Sequence, residues 1–156
     1  MALLSGTTAA AIQELTRARL VAASTSASSR VTVGRQAPYS GTAGLPAIDL
    51  SVQRQSMRLQ LPGQTGLCTP VWESSFSVVV VGRASGATDA LTDAAIRSLT
   101  EEIIDALAGN VAYLDALPGP LVGVEVQTFV AAEDAASGLA GVVVTLTVDG
   151  DRVQYG

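Results

Sequence analysis

Residues 47–83 read AIDLSVQRQSMRLQLPGQTGLCTPVWESSFSVVVVGR, and the reading of this stretch decides the fold. Ile48, Leu50 and Val52 alternate with Asp49, Ser51 and Gln53, the period-two pattern of a half-buried strand. After Gln55-Ser56 the alternation resumes in Met57, Leu59 and Leu61, which puts Arg54 and Arg58 on the polar side. Pro62-Gly63-Gln64-Thr65-Gly66 supplies a turn, and Cys68 to Arg83 returns as a second long strand. The run Ser77 to Val81 is almost wholly apolar, which predicts cover on both faces. The whole is a long hairpin over about 47–83, with a tip that carries few large apolar groups and is expected to reach past the core.

Toward the N-terminus, a helix is expected from Thr8 to Ala23, capped by Thr7 or Thr8. Its apolar stripe is Ala11, Leu15, Ala18 and Ala22, with Arg17 and Arg19 off it. Ser24 to Ser29 is a small polar linker, Val31 and Val33 mark a short strand, and Gln36 to Pro46 is a loop.

Toward the C-terminus, a second helix is expected from Ala87 to Gly109. Thr88 is its cap, Asp89 and Asp93 lie near its positive end, and Gly109-Asn110 stops it. Leu91, Ala95, Leu99, Ile103 and Leu107 form its apolar stripe, broadened by Ile96 and Ile104. Asp93, Arg97, Glu101 and Asp105 line the opposite side. After a loop around Pro118-Gly119-Pro120, Val122, Val124 and Val126 alternate with Gly123, Glu125 and Gln127 in a strand. A connector, Ala131 to Gly138, leads to a last strand with Val142, Val144, Leu146 and Val148 in register, turned by Asp149-Gly150-Asp151. Helices separated by runs of strands predict an α+β fold: an antiparallel or mixed sheet with a long hairpin and two main helices on one face. Residues 1–156 are expected to form a single domain.

Composition narrows the function. The chain has 156 residues, 48% hydrophobic and only 15% charged, enough apolar material for a core and too little charge for disorder. All nine basic residues are arginine, and histidine is absent. That removes a Ser/His/Asp triad, a Cys/His pair, His-ligated metals, Schiff-base lysines and the P-loop lysine. The one cysteine, Cys68, has no internal disulfide partner; it is an inert small residue or a thiol activated by arginine or a helix end. No signal peptide and no apolar run of the roughly 18 residues a membrane helix needs is visible, so a soluble product made in the cytoplasm is expected, with no membrane partner.

Charge is divided along the chain. Residues 1–83 hold seven arginines against Glu14, Asp49 and Glu73, a net of +4; residues 84–156 hold two arginines against eleven acids, a net of −9. Such asymmetry suits a subunit that assembles head to tail, or simply a solvated surface. With pI near 4.5 and scattered arginines, sequence-specific nucleic-acid reading is not expected.

Few constellations carry chemistry. Glu101, Glu102 and Asp105 offer carboxylates for a divalent ion or acid–base work, but they sit where solvated acids belong. Asp149-x-Asp151 is a fragment of a calcium loop without the remaining ligands, and Gly82 to Gly86 lies where an anion-binding loop sits but lacks the glycine spacing. Trp72 and Tyr39 can anchor a partner or simply pack. No catalytic, cofactor-binding or metal-binding residue is therefore assigned, and no cofactor is expected.

Taken together, the helix Thr8–Ala23, AIDLSVQRQ at 47–55, SSFSVVVVGRA at 74–84, the amphipathic helix DAAIRSLTEEIIDAL at 93–107 and the strands VGVEVQTFV and GVVVTLTV resemble the tail terminator proteins of long-tailed bacteriophages. The resemblance lies in element order and pattern over most of the chain. It implies a non-enzymatic virion protein: a hexameric ring of identical copies that caps the head-proximal end of the tail tube, stops its polymerisation and meets the head-closure or connector protein. DNA is then only a passing, non-specific contact in the lumen, where the acid-rich half is expected to repel phosphate. The hairpin would serve as a gripping arm, and Arg54, Arg58 and Trp72 are the candidate assembly-interface residues. Other phage neck subunits, of the head-closure or tail-completion kind, fit the same pattern, as does less closely a small-ligand-binding module.

Overall fold

The structure is a computed structural model that describes residues 9–34, 45–60, 71–117, 121–132 and 137–152. Its elements in chain order are α1 (Ala9–Ala22), β1 (Val31–Val33), β2 (Ala47–Gln60), β3 (Val71–Ser85), α2 (Asp89–Ala106), α3 (Val111–Ala116), β4 (Leu121–Ala132) and β5 (Ser137–Arg152). The strands form one mixed sheet in the order β1-β2-β3-β5-β4. Only the β1–β2 pair is parallel; β2–β3, β3–β5 and β5–β4 are antiparallel. The expected α+β class, with helices on one face, is what the chain adopts.

Period two in the sequence becomes two different faces in the sheet. On β2, β3 and β5 the residues Ile48, Leu50, Val52, Phe76, Val78, Val80, Val142, Val144 and Leu146 are buried beneath the helices. Each such Val, Leu, Ile or Phe contributes about 1.5–3 kcal/mol by leaving water. α2 lies over β3 and β5 through Ile96, Leu99 and Ile103, while α1 lies over β1 and β2 through Ile12 and Leu20. Gly82 permits α2 to approach closely, since a Cβ there would stand 2.8 Å from Leu99 Cδ2.

Several expectations change on folding. In α1 the buried row is Ile12, Thr16 and Leu20, whereas Ala11, Ala18 and Ala22 are exposed. Ile and Leu release far more apolar surface than Ala, so the helix turns to bury them. Arg19 is not free on the surface, because its Nε donates to the Ala106 carbonyl at 3.0 Å. Leu91 in α2 is exposed, and α2 ends at Ala106; Asn110 then caps the unforeseen α3 by accepting from Tyr113 N–H at 2.8 Å. The expected Thr88 cap is present, accepting from Leu91 N–H at 3.2 Å.

Val79 and Val81 are only half-buried, and no helix covers that second face of the sheet among the described residues. There Asp49 and Arg83 form an ion pair. Asp149 to Asp151 continue β5 opposite β3 rather than turning it, because the β3–β5 ladder runs on to Arg152. That ladder also means the hairpin stem is no free arm: β5 flanks β3 from Val71 to Ser85. The hairpin tip, Tyr39, Cys68, the Thr7 or Thr8 cap and most of the Gln36–Pro46 loop lie outside the described residues.

Candidate assembly surface

The three residues singled out on the hairpin separate once folded. A bulge between Arg54 and Ser56 adds one residue to β2 and flips the side-chain phase. Arg54, two residues beyond Val52 and ahead of the bulge, shares the helix-side face with Ile48, Leu50 and Val52 rather than lying on the polar side, while the flip puts Arg58 on the opposite face. Its guanidinium stands 4.7 Å from the Phe76 ring centroid, and its Nη1 donates to Ser74 Oγ at 2.6 Å. Arg54 is thus anchored within its own chain. Arg58 is exposed, and its cross-strand partner in register is Glu73. Trp72 is half-buried opposite Leu59, and its Nε1 is buried without a hydrogen-bond partner.

Candidate chemical groups are occupied with structural work. Ser26 donates to both oxygens of Glu102, through its N–H at 2.9 Å and its hydroxyl at 2.8 Å. Arg97 pairs with Asp93 at 2.6 Å one helical turn away. Within the proposed anion loop, the Gly86 N–H already donates to Thr92 Oγ1 at 3.0 Å. Among the described residues no group of three His, Cys, Asp or Glu side chains is placed to hold a metal ion. A cavity of about 250 Å³ beside α1 and α2 is lined by Arg19, Ser24, Thr25, Glu102 and Asp105, with both Glu102 oxygens already bonded to Ser26.

The surface the sequence left unmarked is β4. This strand lies at the sheet edge, outside the helix layer, and pairs only with β5 among the described residues. Val122, Val124, Phe129 and Val130 are 55%, 40%, 45% and 70% exposed, four of the eight large hydrophobic side chains that stand exposed among the described residues. Phe129 takes up the space over a glycine: Gly141 is its cross-strand partner, and a Cβ there would collide with the ring. The signal in the sequence was the run Thr128-Phe129-Val130, three strand-formers in a row at the end of a pattern that had alternated cleanly. The second-half acids Asp89, Asp93, Glu101, Asp105 and Asp115 are exposed on the helices, while the open sheet face carries Ser75, Ser77, Thr145 and Thr147.

No protein-family model matches the chain, and no curated protein matches it. Among solved structures, the chain is similar to a component of the virion of a native gene transfer agent particle, at 19% identity over 92% of this chain and 96% of that one, with a TM-score of 0.48. It is also similar to two structures from Akkermansia muciniphila, both at 14% identity. One covers 98% of this chain and 84% of the other, with a TM-score of 0.38. The second, solved without its transmembrane region, covers 98% and 90%, with a TM-score of 0.35. Similarity at this level assigns neither an activity nor a partner. No helix among the described residues is long and apolar enough to cross a membrane.

Proposed function

We propose that this chain is a structural subunit of a tailed-bacteriophage virion, of the tail-terminator type. Copies form a ring, hexameric by the resemblance, that caps the head-proximal end of the tail tube and joins it to the connector while DNA passes through. The observation that carries the reading is the folded element order. A leading helix, a long hairpin, an amphipathic helix and two paired strands lie in one mixed sheet with both main helices on one face. The exposed apolar strand at the sheet edge supports it further, since a subunit built to be surrounded by copies has a use for such a surface. On this reading an acidic bore requires the helix layer to face inward, because that layer carries the acids.

The test is to mix the purified chain with tail tubes and follow tube length and end structure by electron microscopy, with native mass measured in parallel. Rings at one tube end, halted elongation and a species near six times the 15.8 kDa chain are expected. Binding to connector-bearing capsids but not to tubes would move the chain to a head-closure role, and binding to neither would overturn the virion reading.

A further inference from the structure

Both edges of the sheet are open in complementary ways. At one edge, β1 covers β2 only from Ile48 to Leu50; from Val52 to Gln60 the outer side of β2 has no strand partner among the described residues. At the other edge the outer side of β4, Leu121–Ala132, has no strand partner among the described residues. Exposed long strands of this kind are normally blunted by proline, lysine or short length, because their free N–H and C=O groups recruit another strand. Neither stretch contains proline; the charges on them, two arginines on Val52–Gln60 and one glutamate on β4, are opposite in sign, so they blunt pairing with a like edge more than pairing with each other.

Charge and polarity select the partner. The only charged residue in β4 is Glu125, and the only charged residues in Val52–Gln60 are Arg54 and Arg58. Met57, another of the exposed large hydrophobics, lies in that same β2 stretch and matches the apolar character of β4. Strand directions also agree. Alternation through β2, β3, β5 and β4 leaves β4 antiparallel to β2, so a rotated copy brings its β2 alongside β4 in antiparallel sense.

We propose that β4 of one copy pairs with Val52–Gln60 of β2 in a second copy, so that one sheet runs antiparallel from subunit to subunit. The contact joins two different surfaces, so repetition either closes a ring or runs on. The inference rests on the virion reading for its purpose and names the surfaces on which that ring is built.

The experiment uses the full chain in sedimentation velocity across about 1–200 μM, the range in which contacts of this size are read. Val130→Lys puts a charge on a side chain already exposed in the monomer, and is expected to weaken self-association at least ~10-fold with an unchanged circular dichroism spectrum. Arg58→Glu and Glu125→Arg are each expected to weaken it by ~3–10-fold, and the double exchange to recover to within ~2-fold of the wild type. A wild-type chain that stays monomeric, an assembly that ends at two copies, or variants that assemble unchanged would each overturn the edge pairing. Unchanged assembly with intact tube capping overturns it while leaving the virion reading in place. Loss of tube binding by the wild type strikes that reading instead.

Discussion

Thr16 shows how a polar residue comes to lie in a core. Its hydroxyl donates to the Ile12 carbonyl at 2.7 Å, so the hydroxyl of Tyr113, 2.8 Å away, is the donor between the two. Both groups are buried and both are satisfied. Burial raises the Tyr113 pKa above its ordinary 10.0, the hydrogen bond with Thr16 opposing that rise in part. The neutral form is therefore favoured in the folded chain. Stability from this group is full below pH 10 and is lost as pH rises through the higher folded value. Tyr113→Phe is expected to cost about 0.5–1.5 kcal/mol near neutrality and to flatten the alkaline loss, as read by urea denaturation at a series of pH values. Arg54 makes the same point from the other side. A charge expected on the polar side lies against Phe76, because alternation from Val52 carries it onto the helix-side face before the bulge intervenes.

At the scale of elements, the closest fit is between α2 and the sheet. Gly82 leaves the space that Leu99 and Ile103 fill, so Gly82→Ala is expected to destabilise the chain by about 1–3 kcal/mol. In a Leu99→Ala background the same change is expected to cost less, since the clashing methyl is gone; a double-mutant cycle by chemical denaturation measures the difference. The strand interiors and α2 were legible because large apolar side chains at period two or 3.6 leave no alternative face to bury. Val142 to Val148 and Ile96 to Ile103 behave in this way. α1 was less legible, because a stripe made mostly of alanines competes weakly with Ile12 and Leu20 on the adjoining side of the helix. α3 and the continuation of β5 left little trace, since each depends on what the neighbouring strand or helix offers, whereas the bulge in β2 shows in the sequence as the switch of the apolar phase across Gln55-Ser56. For the candidate site the outcome is similar. Residue types flagged Arg54, Arg58 and Trp72, but only the strand order reveals that β4 is an edge.

For the whole molecule, the helices cover one face and leave β4 beyond their reach, so the isolated chain exposes more apolar strand than a monomer gains from. Self-association that shields this edge removes folded copies from the unfolding equilibrium. The apparent Tm is therefore expected to rise with protein concentration, and Val130→Lys to remove most of that rise in differential scanning calorimetry. A flat Tm in the wild type would show that the edge stays bare.

The position of β5 has a consequence for the order of events in synthesis. It is the last strand among the described residues, yet it lies between β3 and β4 and is the partner that holds β4 in the sheet. Until β5 has left the ribosome, β4 has no neighbour to align it, and the surface described above does not exist. An interrupted chain that stops before Ser137 thus lacks the strand that aligns β4, and with it the edge on which the proposed pairing depends.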